Sequence, residues 1–121
     1  MRPLFQTDIA YFLERFDHFK ESEIRSLEIL SPTEVKLTLT AQDKARDFNW
    51  VTIELLFLEI IEANLINGPK IAYLDLDDGI TLIKENTNYL FCIGNYKTVT
   101  SAKDSQLYLI SNSIKYREGS F

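Results

Sequence analysis

Carboxylates, one imidazole and one thiol are the groups in this chain whose spacing could support chemistry. His18 is the only histidine and Cys92 the only cysteine among 121 residues. His18 stands between Asp17 and Phe19. An aspartate near a histidine can orient the imidazole, but adjacent positions give poor geometry for a dyad, and a zinc site needs three or four ligands. A surface or helix-end histidine is expected. Cys92 lies in the apolar run Tyr89-Leu90-Phe91-Cys92-Ile93, where a thiol behaves as a small hydrophobe and burial raises its pKa, which argues against a nucleophile.

The acidic run Asp75-Leu76-Asp77-Asp78-Gly79 shares composition with a calcium loop but not its spacing. The glycine at the sixth position of a twelve-residue loop and the closing bidentate glutamate are both missing. A turn cluster is expected, with weak cation binding or a basic partner as the functional alternatives. Glu54, Glu59 and Glu62 could supply an acid and base pair for glycoside hydrolysis if two of them faced each other across a cleft, and solvent-facing strand positions explain them equally well. Four glycines form neither a nucleophile elbow nor a phosphate-binding loop. No catalytic, metal-binding or cofactor-binding residue is assigned, and no enzyme activity is expected.

Aromatic content points towards recognition. Six tyrosines and Trp50 are amphipathic groups suited to protein or sugar surfaces, although tyrosine is also an ordinary strand residue. The candidate partner-binding residues are Asp75, Asp77, Asp78, Trp50, Tyr108 and Tyr116.

These side chains need elements to hold them. Ile9, Phe12, Leu13, Phe16 and Phe19 recur at three and four residues, with Thr7 and Asp8 as cap or acidic first turn, so one amphipathic helix is expected over about residues 8–18. From residue 23 the period becomes two. Ile24, Leu27 and Ile29 form an imperfect strand, Ser31-Pro32-Thr33 a turn, and Val35, Leu37 and Leu39 a half-buried strand. Val51, Ile53, Leu55 and Phe57 share one face of a central strand; past Phe57 the chain either continues as a bulged strand, the reading favoured by its β-branched residues and the turn at Asn67-Gly68-Pro69, or turns helical over residues 58–66 with Glu54, Glu59 and Glu62 on one arc. Residues 71–76 and 80–83 are read as strands joined by a hairpin at Asp78-Gly79, where both turn positions accept φ > 0. A strand over residues 89–93 follows, then a long final one over residues 106–116. In that strand Tyr108, Ile110, Asn112, Ile114 and Tyr116 are expected on one face, with Leu107 and Leu109 on the other.

Short connections, one leading helix and no βαβ spacing predict a mainly β chain: an antiparallel β-sandwich or curved half-barrel with one N-terminal amphipathic helix. A length of 121 residues and 45% hydrophobic content fit a single domain over residues 1–121, its β-rich part spanning about 23–117. The formal net charge is -5, from 13 basic and 18 acidic residues. The basic residues are scattered, which disfavours nucleic-acid binding. The longest apolar stretch, residues 51–66, is broken by Glu54, Glu59, Glu62 and Asn64, too polar for a membrane span. With a lone cysteine and no leader-like opening, a cytoplasmic protein is expected. The final strand carries few charges, and a homodimer through its open edge is expected.

Three stretches, Trp50-Val51-Thr52-Ile53-Glu54-Leu55-Leu56-Phe57, Asp78-Gly79-Ile80, and Ser105-Gln106-Leu107-Tyr108-Leu109-Ile110 leading to Ser113-Ile114-Lys115-Tyr116, resemble small uncharacterised bacterial β-rich proteins. Some of these look like immunity proteins carried beside polymorphic toxins. The resemblance implies a β fold and brings no catalytic residue with it. The functional expectation is therefore a non-catalytic protein-interaction module, in its most specific form a toxin-neutralising immunity protein that meets a basic toxin domain through acidic residues. The alternatives are a small-molecule or saccharide-binding β domain and, more remotely, a minimal carboxylate-based hydrolase.

Overall fold

Strict alternation of apolar and polar residues builds the middle of the sheet. The computed structural model describes residues 1–66, 68–71 and 73–121. Strands β1 (Arg2–Pro3), β2 (Glu23–Ser31), β3 (Glu34–Asp43), β4 (Asn49–Asn64), β5 (Ile80–Glu85), β6 (Asn88–Ile93) and β7 (Tyr108–Ser120) form one seven-stranded antiparallel sheet in the order β2-β3-β4-β7-β6-β5, with β1 paired to β7. The sheet does not close. This is the mainly β antiparallel architecture with one N-terminal helix expected from the sequence, built as one open sheet rather than two stacked ones.

Val35, Leu37, Leu39 and Ala41 of β3 and Val51, Ile53, Leu55 and Phe57 of β4 are all buried on one face. Cross-strand neighbours such as Leu37 and Leu55, or Leu39 and Ile53, pair directly. Helix α1 (Ile9–Arg15) lies over this face. Ile9, Phe12, Leu13, Phe16 and Phe19 join the same buried cluster as Ile80 and Leu82 of β5, Phe91 of β6 and Ile114 of β7. Each such side chain contributes about 1.5 to 3 kcal/mol on burial. Edge-on packing of Phe12 against Tyr116, centroids 5.1 Å apart, adds about 0.5 to 1.5 kcal/mol.

The helix is shorter than the periodicity predicts. It ends at Arg15, and Asp17, His18 and Phe19 then take φ of 53°, 54° and 58°. Aspartate and histidine tolerate left-handed backbone better than most residues, whereas phenylalanine does not. Complete burial of Phe19 holds this turn, which returns the last member of the apolar stripe to the core.

Strand β4 runs 16 residues without becoming helical. Glu59 takes φ of 54°, and the pairing with β7 shifts between Ile60 and Glu62, the bulged continuation expected from its broken alternation. That irregularity changes which face β7 presents. Ile114 joins the core beneath α1, but Ile110 packs with Leu90, Cys92 and Ala102 on the opposite side, so the two do not share the face assigned to them by simple alternation. Helix α3 (Val99–Ala102) covers this second, outer cluster.

Two other expectations change. The strand predicted over residues 71–76 is absent from its described residues: Ile71 closes helix α2 (Gly68–Ile71), and residues 73–76 are turn and loop. The Asp75 carboxylate accepts the Asp77 backbone N–H at 2.6 Å, a local turn that competes with a ladder. Asp78-Gly79 is accordingly not a hairpin loop. Strand β5 pairs with β6 through the turn at Asn86 and Thr87. Gly79, at φ +73°, lies so close to His18 that a Cβ would stand 2.2 Å from the His18 carbonyl oxygen. The turn predicted at Asn67-Gly68-Pro69 begins on Asn67, outside the described residues.

The final strand is central, with β4 on one side and β6 and β1 on the other. The main path of the sheet ends on β2 and β5, with β1 off that path, so the strand expected to form an open edge lies inside the sheet. No helix among the described residues is long and apolar enough to cross a membrane.

Candidate functional site

Three polar segments meet where α1 leaves the core: the left-handed turn at residues 17–21, the acidic loop at residues 75–79, and the loop between β3 and β4. The Glu21 N–H donates to the Leu76 carbonyl at 2.9 Å, and the Gly79 N–H donates to the same oxygen at 2.9 Å. Gly79 packs under the His18 carbonyl and beside the Lys20 stem. The two acidic segments are thus fastened backbone to backbone.

Asp75, Asp77 and Asp78 are all exposed. Contact with Asp75 and its charge push the Asp77 carboxyl above the usual aspartate range, with Glu21 and Asp78 adding to the repulsion. Asp75 and Asp78 line a groove of about 380 Å³ with Tyr96, Asp104 and Gln106. Among the described residues, no group of three histidine, cysteine or acidic side chains is placed to hold a metal ion.

Trp50 lines a separate cleft of about 190 Å³ with Phe16, Asp17, Lys20, Glu21, Gln42, Lys44 and Phe48. Trp50 and Phe48 are exposed by 44% and 57%. Phe48 follows Asp47 in left-handed backbone, with φ of 62° and 53°, and this conformation points an aromatic ring at solvent. The rings of Trp50 and Phe121 lie 5.9 Å apart, with the Arg25 guanidinium 4.5 Å from the Phe121 centroid. Glu21 links cleft and acidic loop, since it lines the first and faces Asp77 in the second.

The other residues singled out from the sequence are structurally engaged. The Tyr108 hydroxyl donates to Glu62 at 2.6 Å on the outer face, and Lys103 donates to the same carboxylate at 3.3 Å. Tyr116 faces Phe12 and carries the Arg2 guanidinium 4.7 Å above its ring. Neither tyrosine lines the clefts beside Trp50 or the acidic loop. Glu54 binds Arg117 and Lys36, and Glu59 accepts from Asn112 at 3.2 Å. The three glutamates are thus occupied by cross-strand partners. Burial pushes the Cys92 thiol up. His18 is exposed beside Lys20 and Asp78.

Sequence reasoning found Trp50 and the acidic loop but missed Glu21, Phe48 and Gln42. The one local signal was Asp17-His18, a pair suited to left-handed backbone at the end of an apolar stripe. No protein-family model, no curated protein and no solved structure matches this chain.

Proposed function

We propose that this chain is a non-catalytic protein-interaction module that binds a basic partner, in its most specific form an immunity protein that covers a toxin domain. The observation that carries this reading is the fastening of residues 17–21 to residues 75–79, which gathers Asp17, Glu21, Asp75, Asp77 and Asp78 at one end of the sheet. Crowded carboxylates repel one another, and a cationic partner relieves that repulsion while speeding encounter. The exposed rings of Phe48 and Trp50 beside them supply the aromatic anchors that interfaces favour.

Small-molecule recognition has weaker support, because the Trp50 cleft of about 190 Å³ falls below the roughly 300 Å³ at which ligand pockets begin, and the groove of about 380 Å³ at Asp75 and Asp78 is walled mainly by acidic and polar groups rather than the apolar side chains such pockets favour. The test is co-expression with the product of a neighbouring toxin gene. Protection of the host, and its loss on Asp75→Lys, Asp77→Lys and Asp78→Lys together, would support the reading; unchanged protection by that triple variant would remove the acidic end from it.

A further inference from the structure

We propose that the cleft between Trp50, Phe48 and the left-handed turn seats one arginine side chain of the partner. This inference rests on the reading of the chain as a binder of basic proteins, and it names the group that is read. Two exposed aromatic faces and two carboxylates line one small cleft. A guanidinium suits that combination because it is planar, stacks on aromatic faces and offers hydrogen bonds in its plane to carboxylates. Lysine lacks the plane.

Charge complementarity favours a cation. Lys44, in the wall, lies 3.2 Å from the Glu14 carboxylate. The stem of Lys20 runs over Gly79, and Lys20 also lines the small cavity shared with Asp78. Among the described residues none of Asp17, Glu21 and Lys20 has an ion-pair partner, so two carboxylates stand against one ammonium in the lining, and Glu21 also lies within the field of Asp77. The aromatic cluster already receives one guanidinium from its own chain, Arg25 over Phe121, and Phe121 in turn packs against Trp50. Phe48 is held in an unfavourable backbone region while largely exposed, an arrangement that core packing does not require.

Trp50 is the sole tryptophan, so its fluorescence reports the cleft directly. Capped tri-arginine, tri-lysine and tri-citrulline serve as probes of guanidinium, charge and shape. The expected result is a saturable change in emission with tri-arginine, binding at least about tenfold weaker with tri-lysine, and none with tri-citrulline. Asp17→Asn with Glu21→Gln should weaken tri-arginine binding at least about tenfold, as should Phe48→Ala. Asparagine accepts the left-handed backbone of residue 17, and thermal melts confirm that the variants fold. Equal affinity for tri-lysine and tri-arginine, no saturable change, or indifference to the double substitution would overturn the proposal. If the double variant still protects against a basic partner as the parent does, the cleft is wrong and the broader reading stands.

Discussion

Arg15 and Asp43 meet through two parallel hydrogen bonds, Nε to Oδ1 at 2.8 Å and Nη2 to Oδ2 at 2.7 Å. The pair joins the last residue of α1 to the last residue of β3. Its third member is Glu118 of β7, which accepts from Arg15 Nη1 at 2.7 Å and also pairs with Arg2. The Asp43 side chain is fully buried, and its Oδ1 also accepts the Ala45 N–H at 2.9 Å. A bidentate arginine fixes angle as well as distance, so this pair sets where the helix lies on the sheet.

Replacing Arg15 by methionine should therefore destabilise the fold by about 3 kcal/mol, because it leaves the buried Asp43 carboxylate with only the Ala45 N–H and the exposed Arg46 at 3.6 Å. Urea denaturation of the two proteins measures the difference. A loss below about 1 kcal/mol, the range of an exposed ion pair, would show that the pair does not anchor α1.

Acid should weaken the same junction. The Arg15 hydrogen bonds, working against burial, hold the Asp43 carboxyl below the ordinary aspartate range. At Glu118 burial pushes the carboxyl up, but Arg2 and Arg15 outweigh it and the net shift is also downward. With both folded-state values depressed, the unfolded chain binds more protons as pH falls, so stability is present above the ordinary carboxylate pKa of about 4 and is lost on descending through the folded values. Melting temperature followed from pH 6 to pH 2 should fall, and Arg15→Met should flatten the slope.

Gly79→Ala should cost more than about 1 kcal/mol, since a positive φ and the His18 carbonyl both oppose a Cβ at that position. The tie between residues 17–21 and 75–79 would loosen with it. Amide hydrogen exchange at Glu21 and Gly79 should accelerate, while exchange in β3 and β4 should change far less.

His18→Gly should act in the opposite direction. Residue 18 is exposed with φ of 54°, and glycine relieves a left-handed penalty of about 1 to 2 kcal/mol while raising unfolded-chain entropy by about half as much. A net gain of about 0.5 to 1 kcal/mol is expected in thermal melts. Phe19→Gly, at nearly the same φ, should instead lose about 3 to 5 kcal/mol, the cost of deleting a buried phenylalanine.

What could be read from the residues beforehand follows the range of the forces involved. Alternation in β3 and β4 was legible because Leu37, Leu39, Ile53 and Leu55 each announce one buried face locally. Gly79 misled, since its positive φ serves close approach to His18 rather than reversal into a neighbouring strand. The central place of β7 depends on pairs such as Val51 with Ser120, and no local pattern declares that partnership. The acidic loop and Trp50 were visible as residue types. Their link through Glu21 was not, because it requires the chain to turn left-handed at residues 17–19 and bring two distant segments together.

The length of β4 bears on how this protein is made. One side of the strand pairs with β3, which precedes it on the ribosome; the other pairs with β7, which is made only after β5 and β6. A three-strand meander of β2, β3 and β4 pairs Asn49–Phe57 of β4 with β3 and leaves the row of backbone groups that β7 later meets unsatisfied. Such an edge invites pairing with other nascent chains. The carboxylates along it, Glu54, Glu59 and Glu62, find cross-strand partners in the finished fold. Their like charges oppose edge-to-edge pairing of that strand with a second copy.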